Sequence, residues 1–442
     1  MNKRFLLTPL LIAFVYSSIS FFGCTKKNYS NENTRLSPEW VKNAVIEEIN
    51  LRSSLKTGTF KTLEAQIPEL KNRGVTILSL TPIHPIGELN RNGVLGSPDA
   101  VKDFYTVNPD FGTLEDFTSL VRTVHEQDLK IIINLVISQA AWDNTILMEH
   151  PEWFVHNEDG AIVAPDSKRS DVAQLDFNQH ELRKYMIAMM KFWVREIGID
   201  GFLCRTGNSI PTDFWDIARS ELEKIKPVVL ISEGCFPENS TQAFDIIYQS
   251  KLDNAMRTII SGTAPASIIN DSLTAEFQQY PKGSLQLRFK KDITPDRMTS
   301  VPQIEKAIAI LAFTLPGVPY FFRDNESVNK KINVLNTLYR DLSTLRRKHP
   351  ALQYGEYQYM QNSDRAHLFS FIRFSGKDSV LVVVNFTQQK KEEDIQMPPR
   401  VSFVWHDQFS NVRVKVENSR LKVTVLPFEG LILVPSSEKE ER

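Results

Sequence analysis

Three apolar runs in this 442-residue chain end on charged side chains. Leu230-Ile231-Ser232-Glu233-Gly234 closes on a carboxylate. Leu287-Arg288-Phe289-Lys290-Lys291-Asp292 closes on a second carboxylate, preceded by two cations. Gly198-Ile199-Asp200-Gly201-Phe202-Leu203-Cys204-Arg205-Thr206-Gly207 closes on a guanidinium instead. Two carboxyl groups brought into one cleft can divide a reaction between them, one donating a proton and the other attacking or activating water. Arg205 can do neither, because it keeps its proton at any usable pH and is no nucleophile. Its natural use is to pair with Glu233 or Asp292. A cation beside a carboxylate favours the ionised form, whereas an acid catalyst needs the protonated one.

Charged groups from distant segments meet only if the elements between them bring them to one edge. The chain from residue 43 reads as alternating strands and helices. Strand-like runs fall at 44–50, 75–80, 130–137, 199–203, 227–232, 243–248, 283–289 and 317–322. Helical spacing separates them, as in Phe60, Leu63, Ile67 and Leu70 before Gly74, and again over 114–127, 180–197 and 211–225. Near-continuous apolar strands between amphipathic helices predict a parallel sheet covered on both faces. About eight such units predict a closed (β/α)8 barrel over 43–350, whose strand C-termini form one functional face. No Gly-x-Gly-x-x-Gly follows a strand, which argues against a nucleotide-binding open sheet.

Two departures from this rhythm mark further units. The polar stretch 138–179, with Pro151-Glu152-Trp153-Phe154 and Asn157-Glu158-Asp159-Gly160, is too long for a plain loop and predicts a small insertion over one barrel end. After His349-Pro350, alternating runs such as 367–373 and 379–386 predict a C-terminal antiparallel β-sandwich over 351–438.

The N-terminus predicts export. Asn2-Lys3-Arg4 precedes an almost wholly apolar or small run from Phe5 to Phe22, then Gly23-Cys24 and a polar segment. A small residue before cysteine at that place resembles a bacterial lipobox, so residues 1–24 read as a lipoprotein signal peptide with Cys24 lipidated. The other reading is an uncleaved membrane helix. Residues 25–42 then form a polar tether. Thr25, not an aspartate, follows the cysteine, which favours an outer-membrane lipoprotein and leaves open whether it faces the periplasm or the outside. A net charge of −1 points to no nucleic-acid partner. The eight histidines include no His-x-x-x-His pair, and no Cys-x-x-Cys occurs, so no structural zinc site is expected. Cys204 and Cys235 end neighbouring strands and read either as a disulfide or as two buried thiols.

The segment around Arg205 resembles the strand carrying the nucleophile in the α-amylase family, glycoside hydrolase family 13. There the pattern is roughly G-x-D-G-F-R-x-D, and here Leu203 replaces the arginine and Arg205 the attacking aspartate. Further echoes are Thr81-Pro82-Ile83-His84-Pro85, Val101 to Thr113, and Leu315-Pro316-Gly317-Val318-Pro319. The resemblance gives Glu233 the place of the general acid/base and Asp292 that of the aspartate orienting sugar hydroxyls. Both read equally as inherited ion-pair partners of Arg205 or Lys291. His84, Tyr105, Trp142 and Lys291 are its candidate substrate contacts, with core packing as the alternative for the aromatic residues and a satisfied loop histidine as that for His84. Asp99 stands where a sugar-stacking aromatic is usual. Asn134, Ser138 and Gln139 replace an Asp…Asn-His set, so the usual calcium is not expected, and no cofactor is.

Together these residues predict an amylase frame with a rebuilt mouth. Three functions follow from it: a non-catalytic lipoprotein that binds an α-glucan, oligosaccharide or envelope protein of a glycan-uptake system; an active hydrolase or transglycosylase rewired around Glu233; or a scaffold using the barrel surface.

Overall fold

The computed structural model describes residues 29–436 apart from 55–57, 206–209, 235, 290–301, 324–331, 399–403 and 411. Eight parallel strands close into a barrel: β1 (Ile46–Ile49), β2 (Ile77–Leu80), β3 (Lys130–Leu135), β6 (Gly201–Cys204), β7 (Val229–Glu233), β8 (Ile246–Tyr248), β9 (Leu285–Arg288) and β10 (Val318–Arg323). Between β3 and β6 lies a two-stranded ribbon, in which β4 (Gln139–Ala141) pairs antiparallel with β5 (Val172–Gln174). It forms the centre of the expected insertion. Each predicted barrel strand is present, with its bounds shifted by at most three residues.

Alternation along the strands builds two apolar layers. Ile46, Ile77, Ile132, Leu203, Val229, Ile231, Leu287, Val318 and Tyr320 fill the barrel interior. Their neighbours Leu78, Ile131, Ile133, Phe202 and Leu230 face outward onto the surrounding helices. One of these is helix Leu114–Glu126, which buries Phe117, Leu120, Val121 and Val124. It starts where Thr113 and Asp116 exchange side chain-to-backbone bonds, a capping box that satisfies two donors the first turn leaves open.

Gly201 shows why the strand carrying Arg205 must begin with glycine. A Cβ there would lie 1.9 Å from the Val229 carbonyl oxygen of β7. Any side chain would therefore push β6 off its neighbour.

The C-terminal unit consists of β11 (Glu356–Tyr359), β12 (Leu368–Ser375), β13 (Asp378–Asn385), β14 (Lys391–Gln396), β15 (Val404–Asp407), β16 (Arg413–Glu417), β17 (Arg420–Val425) and β18 (Gly430–Pro435). The expected sandwich is one continuous antiparallel sheet, ordered β11-β12-β13-β18-β15-β16-β17-β14, folded over its own core of Ile372, Leu381, Trp405, Leu421 and Val423. The opposite faces of β12, β13 and β18 pack Phe369, Phe371, Val382 and Ile432 against the barrel helix Pro302–Thr314. One sheet thus supplies both a private core and the seam with the barrel. Among the described residues no helix is long and apolar enough to cross a membrane.

Candidate active site

The C-terminal ends of the barrel strands bring Arg205, Glu233 and Asp99 together. Arg205 follows β6, and its backbone N–H donates to the Leu135 carbonyl at the end of β3. Glu233 ends β7, and Gly234 turns the chain away at φ 72°, a conformation glycine adopts without strain. Asp99 sits on the long excursion after β2, which is braced by bonds from Gly87 N to Ala100 O and from Lys102 N to Pro85 O. The Arg205 Nη1 donates to Asp99 Oδ1 at 3.0 Å, and its Nε lies 3.7 Å from Glu233 Oε2. The three side chains are 35%, 31% and 21% exposed, so the cluster is open to solvent and to a ligand.

Beneath it lies a buried polar group that sequence reasoning did not single out. Glu48 on β1 accepts from the Tyr320 hydroxyl and, at 2.5 Å, from the Asn134 amide. Asn134 in turn accepts from Ser79 Oγ at 2.8 Å. Burial first, then the Glu48 charge, pushes the Tyr320 hydroxyl far above the ordinary phenol range, so it stays a donor. Tyr248 at the end of β8 is shifted the same way by burial and by Asp253, to which it donates at 2.6 Å. The Glu233 charge adds to both shifts. The signal for Glu48 was the pair Glu47-Glu48 inside a strand. Successive residues face opposite sides, so one of the two had to point into the barrel. Glu47 takes the outer side and pairs with Arg73 at 2.7 Å.

The other candidate residues lie in different surroundings. His84 is buried at 2% exposure against Trp193 and Phe104, with Nδ1 bonded to the Thr106 carbonyl at 3.0 Å. In this structure His84 is thus packed among aromatic rings and bonded to the backbone rather than exposed at the mouth. The Tyr105 ring packs on Tyr185 and Phe192, at 5.7 and 5.3 Å between centroids. Trp142 donates its indole N–H to the Ser170 carbonyl at 2.9 Å and packs at the edge of the main core. Gln139 accepts from Arg169 at 3.2 Å within the insertion. Leu203 is fully buried in the barrel interior, opposite Asn134 on the neighbouring strand. Asp292, Lys290, Lys291, Cys235 and Cys24 lie outside the described residues; Cys204 is buried.

Comparison with known proteins fits this frame. The model of the α-amylase catalytic domain matches residues 30–152, and that of the maltogenic amylase C-terminal domain matches residues 357–432. A solved noncanonic maltogenic α-amylase from Thermotoga neapolitana is 30% identical, with a TM-score of 0.82 over 90% of this chain and 100% of that one. The chain belongs to the α-amylase family. An α-amylase from Lactobacillus plantarum, 23% identical with a TM-score of 0.80 over 90% of this chain and 100% of its own, shares the fold of this family member. An α-1,4-glucan:maltose-1-phosphate maltosyltransferase from Picrophilus torridus is 24% identical over 84% of this chain and 66% of its own length. A cyclomaltodextrinase from Geobacillus thermopakistaniensis is 21% identical over 92% of this chain and 75% of its own. The chain therefore spans just under two thirds of that maltosyltransferase.

Proposed function

We propose that this α-amylase-family chain binds an α-glucan or oligosaccharide without hydrolysing it, and that Cys24 anchors it to the bacterial outer membrane within a glycan-uptake system. The observation that carries the reading is the guanidinium of Arg205, 3.0 Å from Asp99 and 3.7 Å from Glu233. By family resemblance that position belongs to the attacking aspartate. Retaining hydrolysis requires a carboxylate there, about 5–5.5 Å from the acid/base. An inverting route would need a water between two carboxylates about 6.5–9.5 Å apart. Asp99 and Glu233 are two carboxylates at this mouth, but Arg205 bonds to one and closely approaches the other. An ion-paired Glu233 is also poorly suited to donate a proton.

The lower layer supports the same reading. With Asn134 engaged by Ser79 and Glu48, its amide oxygen already accepts a bond inside the barrel. A neutral amide also brings less charge than the aspartate that family resemblance places at this position, which argues against calcium at the usual site. Leu203 gives the β6 position an apolar side chain in the barrel interior, so no second arginine crowds Arg205. An alternating set of carboxylate and guanidinium groups remains well able to hydrogen-bond sugar hydroxyls.

The test is the double reversion Leu203→Arg with Arg205→Asp, assayed beside the parent for reducing ends released from starch and maltooligosaccharides. The parent is expected to release none at high protein loading while being retarded by amylose in affinity electrophoresis. Hydrolysis by the parent at a rate comparable to the revertant overturns the proposal. A parent that neither hydrolyses nor is retarded points to a protein partner instead. Incorporation of labelled palmitate, lost in Cys24→Ser, tests the anchor.

A further inference from the structure

The seam between the barrel and the C-terminal sheet buries three arginines around one carboxylate. Arg288 at the end of β9, Arg346 on helix Ile332–Lys348 and Arg373 on β12 are 2%, 2% and 1% exposed. Glu276 accepts from both Nη atoms of Arg288, at 3.0 and 2.9 Å. The other acceptors are backbone carbonyls. Arg288 Nε donates to Pro316, Arg346 to Phe313 and Gly317, and Arg373 to Thr314 and Gly355. Four of these carbonyls belong to the end of helix Pro302–Thr314 and the turn after it. The arginines therefore satisfy acceptors that a helix terminus leaves open, and they face the negative end of its dipole.

Charge does not balance there. Among the described residues, one carboxylate and a dipole equivalent to about half an elementary charge stand against three guanidiniums. More than one positive charge is left in a region closed to water. Burial, reinforced by mutual repulsion, lowers Arg346 to about 10 and Arg373 to about 9.

A second observation is independent of charge. Arg346 Nε and Arg373 Nε are both buried and have no hydrogen-bond partner among the described residues. Both arginines place their Nη atoms on carbonyls and leave the same edge unused. Buried polar groups without a partner are uncommon in folded proteins and call for an explanation such as an ion or a water.

We propose that this seam holds a small monovalent anion of chloride size on the Nε edges of Arg346 and Arg373. One negative charge matches the residual charge, and a spherical ion can accept from two N–H groups without needing further donors. A larger oxyanion would require more donors than these edges offer. The ion ties helix Ile332–Lys348 to β12 and so fixes the C-terminal sheet on the barrel. It lies outside the Asp99–Arg205–Glu233 cluster, and its existence does not depend on what the mouth binds.

Thermal unfolding of the full chain tests this after exhaustive dialysis, with chloride exchanged for gluconate at constant pH and ionic strength. A saturable rise in Tm of about 2–4 °C with chloride is expected, reproduced by bromide, as for any ligand held only by the folded state. Arg373→Gln should abolish the halide dependence. If that variant does not fold, crystals of the parent grown in bromide give the answer. An anomalous peak within hydrogen-bond distance of both Nε atoms supports the site. Equal melting temperatures in the two salts, or no bromide peak between the two arginines, overturns it.

Discussion

Arginine faces opposite conditions in two regions of this protein. At the barrel mouth, Arg205 is about one-third exposed and shared between two carboxylates that are themselves partly wet. At the seam, Arg288, Arg346 and Arg373 are closed off from solvent and bonded mainly to backbone carbonyls. Water screens the first cluster, so its geometry is cheap to rearrange and a ligand's hydroxyls can replace one ion-pair contact with another. No such exchange is open to the seam. Each donor lost there strands an acceptor or a charge in a medium that cannot solvate it. Exposure, more than residue type, separates a group suited to recognition from one that holds domains together.

The largest effect expected from this contrast is at Arg288. Arg288→Met leaves Glu276 buried without its bidentate partner, and breaking a buried pair from one side costs about 3–5 kcal/mol. Urea unfolding of the full chain should show that loss as a lower midpoint with little change in slope. A cost below about 1 kcal/mol, the range of exposed pairs, would remove the distinction between seam and mouth.

Acid sets the interior against the mouth in another way. Burial pushes the His84 ring down to about 4, from an ordinary value near 6.5. The folded state thus binds that proton less readily than the unfolded chain. Stability is whole above about pH 6.5 and falls as pH drops towards 4, by about 3 kcal/mol in total at about 1.4 kcal/mol per unit. Asp200 extends the effect to lower pH. Burial alone would raise it, but His125 at 2.7 Å, Lys226 at 3.1 Å and the Ile131 N–H hold it below the usual carboxylate value. Its contribution is present above the unfolded value and is lost as pH falls through the lower folded one. Urea midpoints measured from pH 7 to 4 should fall for the parent and fall less for His84→Phe. Parallel curves for the two would show that the histidine is not the group responsible.

The barrel was legible because its signal is local and repeated. Each strand announces itself by a short apolar run, and a helix stop such as Gly74 precedes the next. The C-terminal antiparallel strands were equally plain, but nothing local shows whether alternating strands make two sheets or one folded sheet; that depends on the pairing of β15 with β18. The mouth was readable by type, since Arg205 and Glu233 both end predicted strands. Its pairing was not, because Asp99 reaches Arg205 across 106 positions through a loop whose path no periodicity encodes. His84 shows the same limit in reverse. A motif fixed its place after β2, but depth is set by Trp193 and Phe104 arriving from elsewhere. The seam arginines gave no signal, since a basic residue near a helix end or within a strand usually reaches water.

The smallest expected effect is at the mouth, and it is the one that ties exposure to recognition. A double-mutant cycle over Arg205→Ala and Asp99→Asn should return a coupling of about 0.2–1 kcal/mol in unfolding free energy, decreasing as salt is added. The same variants should weaken retardation by amylose, because both groups stand where a sugar bound at the mouth would meet them. Loss of retention with almost unchanged stability means that the pair serves the ligand. A coupling of about 3 kcal/mol or more, in the range of buried pairs, would instead make Arg205 a structural clamp across β6 and the β2 excursion. The mouth would then resemble the seam, and the recognition surface would have to be sought elsewhere on the barrel.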